Sequence, residues 1–164
     1  YGNVMGSRGS VIPFFLSYPK NKPLPVTDIG MTRFNITLPE SIETVFWAQN
    51  HCKGGEIVIP EIPSYHILDL VSAIRSDNSY TSIGIREGEK LHEEMITSSD
   101  SLMTLKSKSH YLILPAWQNI DEYINESDFT LEKVPLGFSY SSGTNHHFLT
   151  IDELKILLKD LSLI

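Results

Sequence analysis

The sequence predicts an α/β chain, and three observations carry that expectation. The chain opens on the end of a strand, a glycine-punctuated turn around Arg8 and a helix start with Ser10 at the cap position and Pro13 in the first turn. Brief β-branched runs such as Glu56-Ile57-Val58-Ile59-Pro60 then alternate with segments whose apolar residues recur at helical spacing. A strand end that runs through glycines into a helix is, moreover, where open α/β sheets bind anionic ligands. A domain rarely begins inside a core strand, so the 164 residues read as the back half of a longer protein.

The elements follow in order. A first helix is expected over 11–18, stopping before Pro19, and a proline-rich piece over 20–25 leads into a short extended segment with a glycine-containing loop over 26–34. Thr37 and Glu40 form a capping box around Pro39. Ile42, Val45, Phe46 and Gln49 then mark a helix that should pack by that face until Lys53-Gly54-Gly55 ends it. A strand is expected over 56–60. Ser64 is read as the cap of a second helix over 65–75, with Ile67, Leu70, Val71 and Ile74 as its apolar stripe. A strand over 80–85 delivers the chain into a charged segment over 86–95, and 102–106 pairs with 110–114 as a hairpin. From Trp117 to Gly137 the chain is acidic and poorly periodic, and is expected as an irregular surface wrap. Thr150 and Glu153 make another capping box, opening a last helix on Leu154, Leu157, Leu158 and Leu161.

Composition narrows the function. Thirteen basic residues against twenty acidic ones give a net charge of −7, with no basic cluster longer than Lys20-Asn21-Lys22 or Lys106-Ser107-Lys108, which argues against nucleic-acid binding. No apolar run approaches the roughly 20 residues of a membrane span, and no signal peptide opens the chain. The single cysteine, Cys52, excludes an internal disulfide and fits a reducing compartment, so the cytoplasm is the expected location. Asn35-Ile36-Thr37 and Asn125-Glu126-Ser127 match the glycosylation pattern, which means little without a secretory context.

Several motifs lead nowhere. His92-Glu93-Glu94-Met95-Ile96 lacks the second histidine of a zinc-protease helix, and the adjacent His146 and His147 point their rings apart, so no metal site is expected. Ser-His-Asp sets can be drawn from many positions and therefore say nothing. Gly6-Ser7-Arg8-Gly9 alone reads as a turn before it reads as a phosphate loop.

The order of the pieces is more specific than any one of them. Tyr1-Gly2-Asn3-Val4 with Gly-Ser-Arg-Gly-Ser-Val comes first, then Thr27-Asp28 with Met31-Thr32-Arg33-Phe34, then Gly54-Gly55-Glu56-Ile57. Ile85-Arg86 with Gly88-Glu89-Lys90-Leu91-His92-Glu93 comes next, and Tyr140-Ser141-Ser142 with Asn145 and a terminal Leu149 to Leu154 close the series. This arrangement resembles the inverting UDP-N-acetylglucosamine 4,6-dehydratases, extended short-chain dehydrogenase/reductases grouped with capsule and polysaccharide biosynthesis proteins.

The resemblance implies the C-terminal portion of a Rossmann-type enzyme with its smaller α+β substrate-binding region. Residues 1–115 would hold the end of the Rossmann sheet and the substrate-binding region, and 116–164 the acidic wrap and last helix. It also implies an enzyme that uses NADP to oxidise C4 of a UDP-sugar, eliminates water across C5 and C6, and returns the hydride with inversion at C5. The family's glycine fingerprint and its Asp-Lys and Tyr-x-x-x-Lys groups lie upstream of its Tyr-Gly-Asn-Val. No catalytic residue is therefore assigned, and the chain alone is expected to be inactive. By resemblance, Asn3, Val11, Thr27, Arg33, Arg86 and Glu89 are substrate-binding, and Val4, Met5, Gly6, Ser7 and Arg8 line the nicotinamide end of NADP. Arg86 would face the UDP diphosphate and Glu89 the ribose hydroxyls, with Arg33 a second phosphate contact.

Read locally, the same residues admit plainer roles. Arg86 and Glu89 could form a surface ion pair, Thr27 a turn cap, Val11 a core residue, and Cys52 a small apolar group. Glu87 stands where the family more often has proline. Self-association is implied by the resemblance alone. The alternatives are a non-catalytic UDP-sugar-binding or assembly module, and a sibling retaining dehydratase or C4 epimerase.

Overall fold

The structure, a computed structural model, describes residues 4–164, so Asn3 lies outside the described residues. In chain order the elements are α1 (Val11–Ser17), β1 (Leu24–Val26), β2 (Thr32–Phe34), α2 (Leu38–His51), β3 (Ile57–Pro60), β4 (Ser64–His66), α3 (Ile67–Ile74) and β5 (Tyr80–Ser82). They continue with β6 (Glu94–Ile96), a 3₁₀ turn (Asp100–Met103), β7 (Thr104–Lys106), β8 (His110–Ile113), α4 (Ile120–Asn125), β9 (Glu132–Lys133), β10 (Tyr140–Ser141) and α5 (Ile151–Asp160). The fold is mixed α/β: β1 and β5 pair in parallel, and the remaining ladders are antiparallel.

Two compact units interleave along the chain. One is built from Thr37–Glu61 and Glu94–Ser141, the other from 4–36, Ile62–Glu93 and Ser142–Ile164. The division expected at residue 115 falls inside the first unit.

The first unit carries a four-stranded sheet in the order β3-β8-β7-β9. Leu105 and Leu112, both fully buried, pack with Leu114, Tyr123 and Leu131 on one side of it. The capping box of α2 forms: Thr37 Oγ1 accepts from the Glu40 amide, and Glu40 Oε2 accepts from the Thr37 amide at 2.7 Å. Its expected packing face does not. Ile42, Val45 and Phe46 are exposed, whereas Ser41 and Thr44 are buried, their hydroxyls returned to the carbonyls of Thr37 and Glu40. Short hydroxylated side chains that bond their own helix can sit in a packed face at little cost. The acidic stretch after Trp117 is likewise more ordered than expected. Asn119 caps α4 by accepting from the amides of Asp121 and Glu122, and Tyr123 and Leu131 enter the core.

The second unit holds α1, α3, α5 and the pairs β1–β5 and β2–β4. Leu70 and Val71 of α3 meet Leu154 and Leu158 of α5 in a core that also takes Phe15, Val26 and Met31. The stripe expected on α3 is thus its buried face. Ser64, expected as a helix cap, instead belongs to β4 opposite Phe34, and α3 begins at Ile67 after His66, which makes no side-chain cap bond. The β2–β4 ladder and the Ser64 amide's bond to the His147 carbonyl hold that backbone extended. Among the described residues no helix is long and apolar enough to cross a membrane.

Candidate functional site

A cavity of about 770 Å³ opens in the second unit, and each residue that lines it belongs to that unit. Its floor is apolar: Val26, Met31 and Ile67 reach it from the core, and Val11 and Phe14 from α1. Phe14 is exposed at the wall, with its ring edge-on to Tyr18. Polar groups reach it from Thr27 after β1 and from the segment after β5 that carries Arg86 and Glu89, as well as from Arg33 on β2 and the serines around α1.

The parallel pairing of β1 with β5, extended by the Ile83 amide's bond to the Val26 carbonyl, brings that segment to the cavity edge. Gly88 then turns the chain at φ 79°, a left-handed backbone that glycine adopts without strain. The turn is closed by the Glu89 amide donating to the Arg86 carbonyl at 3.0 Å. The Glu89 carboxylate accepts from the Thr27 hydroxyl at 3.2 Å and from the Arg86 amide at 3.3 Å. Among the described residues no ion pair joins the Arg86 and Glu89 side chains, and the Arg86 side chain is left exposed at the rim of the cavity. A cation and a fixed carboxylate over an apolar floor form a set that can grip an anion and a diol while burying an uncharged ring.

Arg33 also lines the cavity, yet its guanidinium is committed within the protein. Nη1 donates to the carbonyls of Thr32 (2.7 Å) and Leu91 (3.1 Å), Nη2 to Met31 Sδ (2.8 Å), and Nε lies 3.4 Å from Glu93 Oε1. Beside it, burial pushes the Tyr65 hydroxyl up to about 12, with Arg33 pulling the other way and Glu93 adding to the rise.

Val4 to Arg8 form a tight turn at the other end of the unit's first segment. The Met5 amide donates to the Ile36 carbonyl at 2.8 Å and the Ser7 amide to that of Val4 at 3.1 Å. Gly6 has φ 72°, a left-handed backbone that favours glycine in the turn, and a Cβ there would push on the end of the Leu163 side chain at 2.8 Å. Met5 packs into the core, which leaves only its backbone for a ligand, whereas Ser7 and Arg8 are exposed and Ser7 lines the cavity. Residues not expected at the site include Phe14, Ile83 and Ser10, besides the apolar floor. Ser10 Oγ is buried without a hydrogen-bond partner, and α1 starts without a side-chain cap bond.

The fold is that of a mixed α/β protein with an open, partly apolar cavity, and comparison with known proteins places the chain in one family. Residues 1–115 match the family model described as polysaccharide biosynthesis protein, and the chain belongs to that family. Among curated relatives, it is 45% identical over 163 residues to a UDP-N-acetylglucosamine 4,6-dehydratase (inverting) of Campylobacter jejuni subsp. jejuni serotype O:23/36 (strain 81-176), covering 94% of this chain and 48% of that protein. It is 35% identical to a UDP-glucose 4-epimerase of Rickettsia canadensis (strain McKiel), covering 99% of this chain and 48% of the relative. Among solved structures, Pen from Bacillus thuringiensis superposes on all of the chain, and on 49% of its own length, with a TM-score of 0.81 at 30% identity. The chain therefore spans about half the length of the curated relatives it matches.

Proposed function

We propose that the full-length protein is an inverting, NADP-dependent UDP-N-acetylglucosamine 4,6-dehydratase that feeds surface polysaccharide or nonulosonate sugar synthesis, and that this chain is its UDP-sugar-binding half. The observation that carries the reading is the juxtaposition of Arg86 with a Glu89 buttressed by Thr27 over the apolar cavity. In it, Arg86 holds the diphosphate, Glu89 accepts from the ribose hydroxyls, and Thr27 and Val11 border the nucleoside. Asn3 completes the set carried over from the family, whereas Arg33, whose guanidinium is spent on the Thr32 and Leu91 carbonyls and on Glu93, is left out of it.

The residues at the opening turn fit the cofactor that the family uses. The partnerless Ser10 Oγ and the exposed Ser7 and Arg8 are polar groups suited to a carboxamide or phosphate, and the backbone of Val4, Met5 and Gly6 completes the wall. When bound, the nicotinamide supplies transient oxidation at C4, which acidifies the neighbouring C5 proton. The catalytic acid and base belong to the half this chain does not span. The isolated chain is accordingly inactive in this reading, and self-association and a cytoplasmic setting go with it.

Calorimetry with UDP on the full-length protein tests the assignment. Arg86→Ala and Glu89→Ala should each weaken UDP by about 2 kcal/mol, roughly thirtyfold in Kd, for a charged hydrogen bond lost. Unchanged affinity in both variants removes these residues from the site. The epimerase relative favours a second reading, a C4 epimerase; a 4-keto product from UDP-N-acetylglucosamine selects the dehydratase, and a C4-inverted sugar selects the epimerase.

A further inference from the structure

The turn that carries Arg86 and Glu89 is itself lightly tied, but the three residues after Lys90 are held from several directions. The Leu91 carbonyl accepts from the Thr32 amide (3.1 Å) and from Arg33 Nη1 (3.1 Å). His92 Nδ1 and Thr32 Oγ1 are hydrogen-bonded at 2.8 Å, and Thr32 Oγ1 is bonded in turn to Ser142 Oγ at 2.8 Å. Glu93 donates its amide to Ser142 Oγ and accepts from the Ser142 amide, both at 2.8 Å, while its carboxylate faces Arg33. Ser142 is fully buried. The next residue packs closely on His92: a Cβ on Gly143 would lie 2.6 Å from the ring, so any larger residue would have to displace it. Side chains from strand β2 and from the segment before α5 thus converge on one short stretch. Backbone pairing alone would suffice to route a loop; this many long-range side-chain bonds fix its position.

We propose that Thr32, Arg33, His92 and Ser142 form a clasp that sets the position of the Arg86–Glu89 turn over the cavity, so that Arg33 serves as a positioning residue and not as a phosphate contact. The proposal rests on the UDP-sugar reading above. The turn is anchored at one end by Ile83 on Val26 and at the other by this clasp, so loosening the clasp lets both ligand-gripping side chains wander. A lysine at position 33 keeps a positive charge but cannot hold the Leu91 carbonyl, Met31 and Glu93 together.

The test uses the full-length protein with His92→Ala, an exposed position whose loss should spare folding, together with Ser142→Ala and Arg33→Lys. Trypsin cleavage after Lys90 should quicken by about tenfold in each variant, as a local opening would allow. The Kd for UDP should rise about tenfold, yet each substitution should cost less than about twofold once Arg86→Ala and Glu89→Ala are present, since a positioning residue acts through the groups it positions. Unchanged cleavage, or an equal loss of UDP affinity with and without Arg86 and Glu89, overturns the clasp. So does an Arg33→Lys variant that binds UDP like the parent. If the parent protein fails to bind UDP at all, the nucleotide reading falls and the cleavage rates still decide whether the clasp exists.

Discussion

At the residue scale, the chemistry of the first unit centres on the turn after α2. Cys52 is half-buried, and burial followed by the nearby Glu56 carboxylate pushes its thiol up to about 11. The thiolate is the reactive species. A rise from 9.0 to about 11 therefore lowers its population about a hundredfold near neutral pH, and alkylation by iodoacetamide at pH 8 should be about that much slower in the native protein than in the unfolded chain. Equal rates would contradict it. Burial works to raise the Glu56 carboxyl too, but the Tyr123 hydroxyl at 2.7 Å and the amides of Lys53, Glu56 and Gly54 outweigh burial and hold it below its ordinary value of 4.5. A carboxyl lowered on folding contributes stability that is present above the unfolded value and lost as pH falls through the folded one. Tyr123→Phe should therefore cost about 1 kcal/mol at pH 7, an exposure-discounted value, and less at pH 3. Thermal melts at the two pH values check it, and an equal penalty at both would refute the coupling.

Elements differ in how far local chemistry specifies them. The capping boxes at Thr37 and Thr150 were legible because both partners lie three residues apart and the bond they make is local. The hairpin of β7 and β8 was legible for the same reason. What escaped were facts of tertiary context. The apolar stripe of α2 faces outward while Ser41 and Thr44 pack inward, and the Ser64 segment became a strand because β2 lay beside it. Strands β6 and β10 are short and separated by more than forty residues, so no local pattern announces their pairing. The candidate site divides likewise: Arg86 and Glu89 were named by the resemblance, their local spacing alone suggesting a surface ion pair that the structure does not make, and the commitment of Arg33 to Leu91 and Glu93 depends on a loop folding back. Two of the expected serine and threonine caps of the second unit, Thr150 and Ser10, make a sharper test. Thr150 Oγ1 accepts from the Glu153 amide and its own amide bonds Glu153 at 2.8 Å, whereas Ser10 Oγ bonds nothing. Thr150→Ala should cost about 1 kcal/mol, a fall of roughly 2–4 °C in Tm, and Ser10→Ala should be neutral or slightly stabilising. A Ser10→Ala variant that melts as low as Thr150→Ala would show a cap in solution that the fold does not make.

At the scale of the whole molecule, the two units are threaded through one another in sequence, so neither could be removed by a single cut, yet the candidate site draws on one of them alone. That separation makes function and stability independently addressable. Leu112 lies at 0% exposure in the middle of β8, in the first unit's core, and Leu70 at 0% in α3, in the core behind the cavity floor. Truncating either to alanine leaves a cavity and should cost about 2–5 kcal/mol, a fall in Tm on the order of 10 °C. The two variants should part company over the ligand. Leu70 packs with Val26, Met31 and Ile67, which form the floor beneath Arg86 and Glu89, so its loss should weaken UDP in the full-length protein even at temperatures where the variant is fully folded. Leu112→Ala, equally destabilised, should bind UDP like the parent under the same conditions, because the core it shares with Leu105, Leu114, Tyr123 and Leu131 lines no part of the cavity. Calorimetry well below both melting transitions measures the difference, and a Leu112→Ala variant that loses as much UDP affinity as Leu70→Ala would mean that the site is not confined to the second unit.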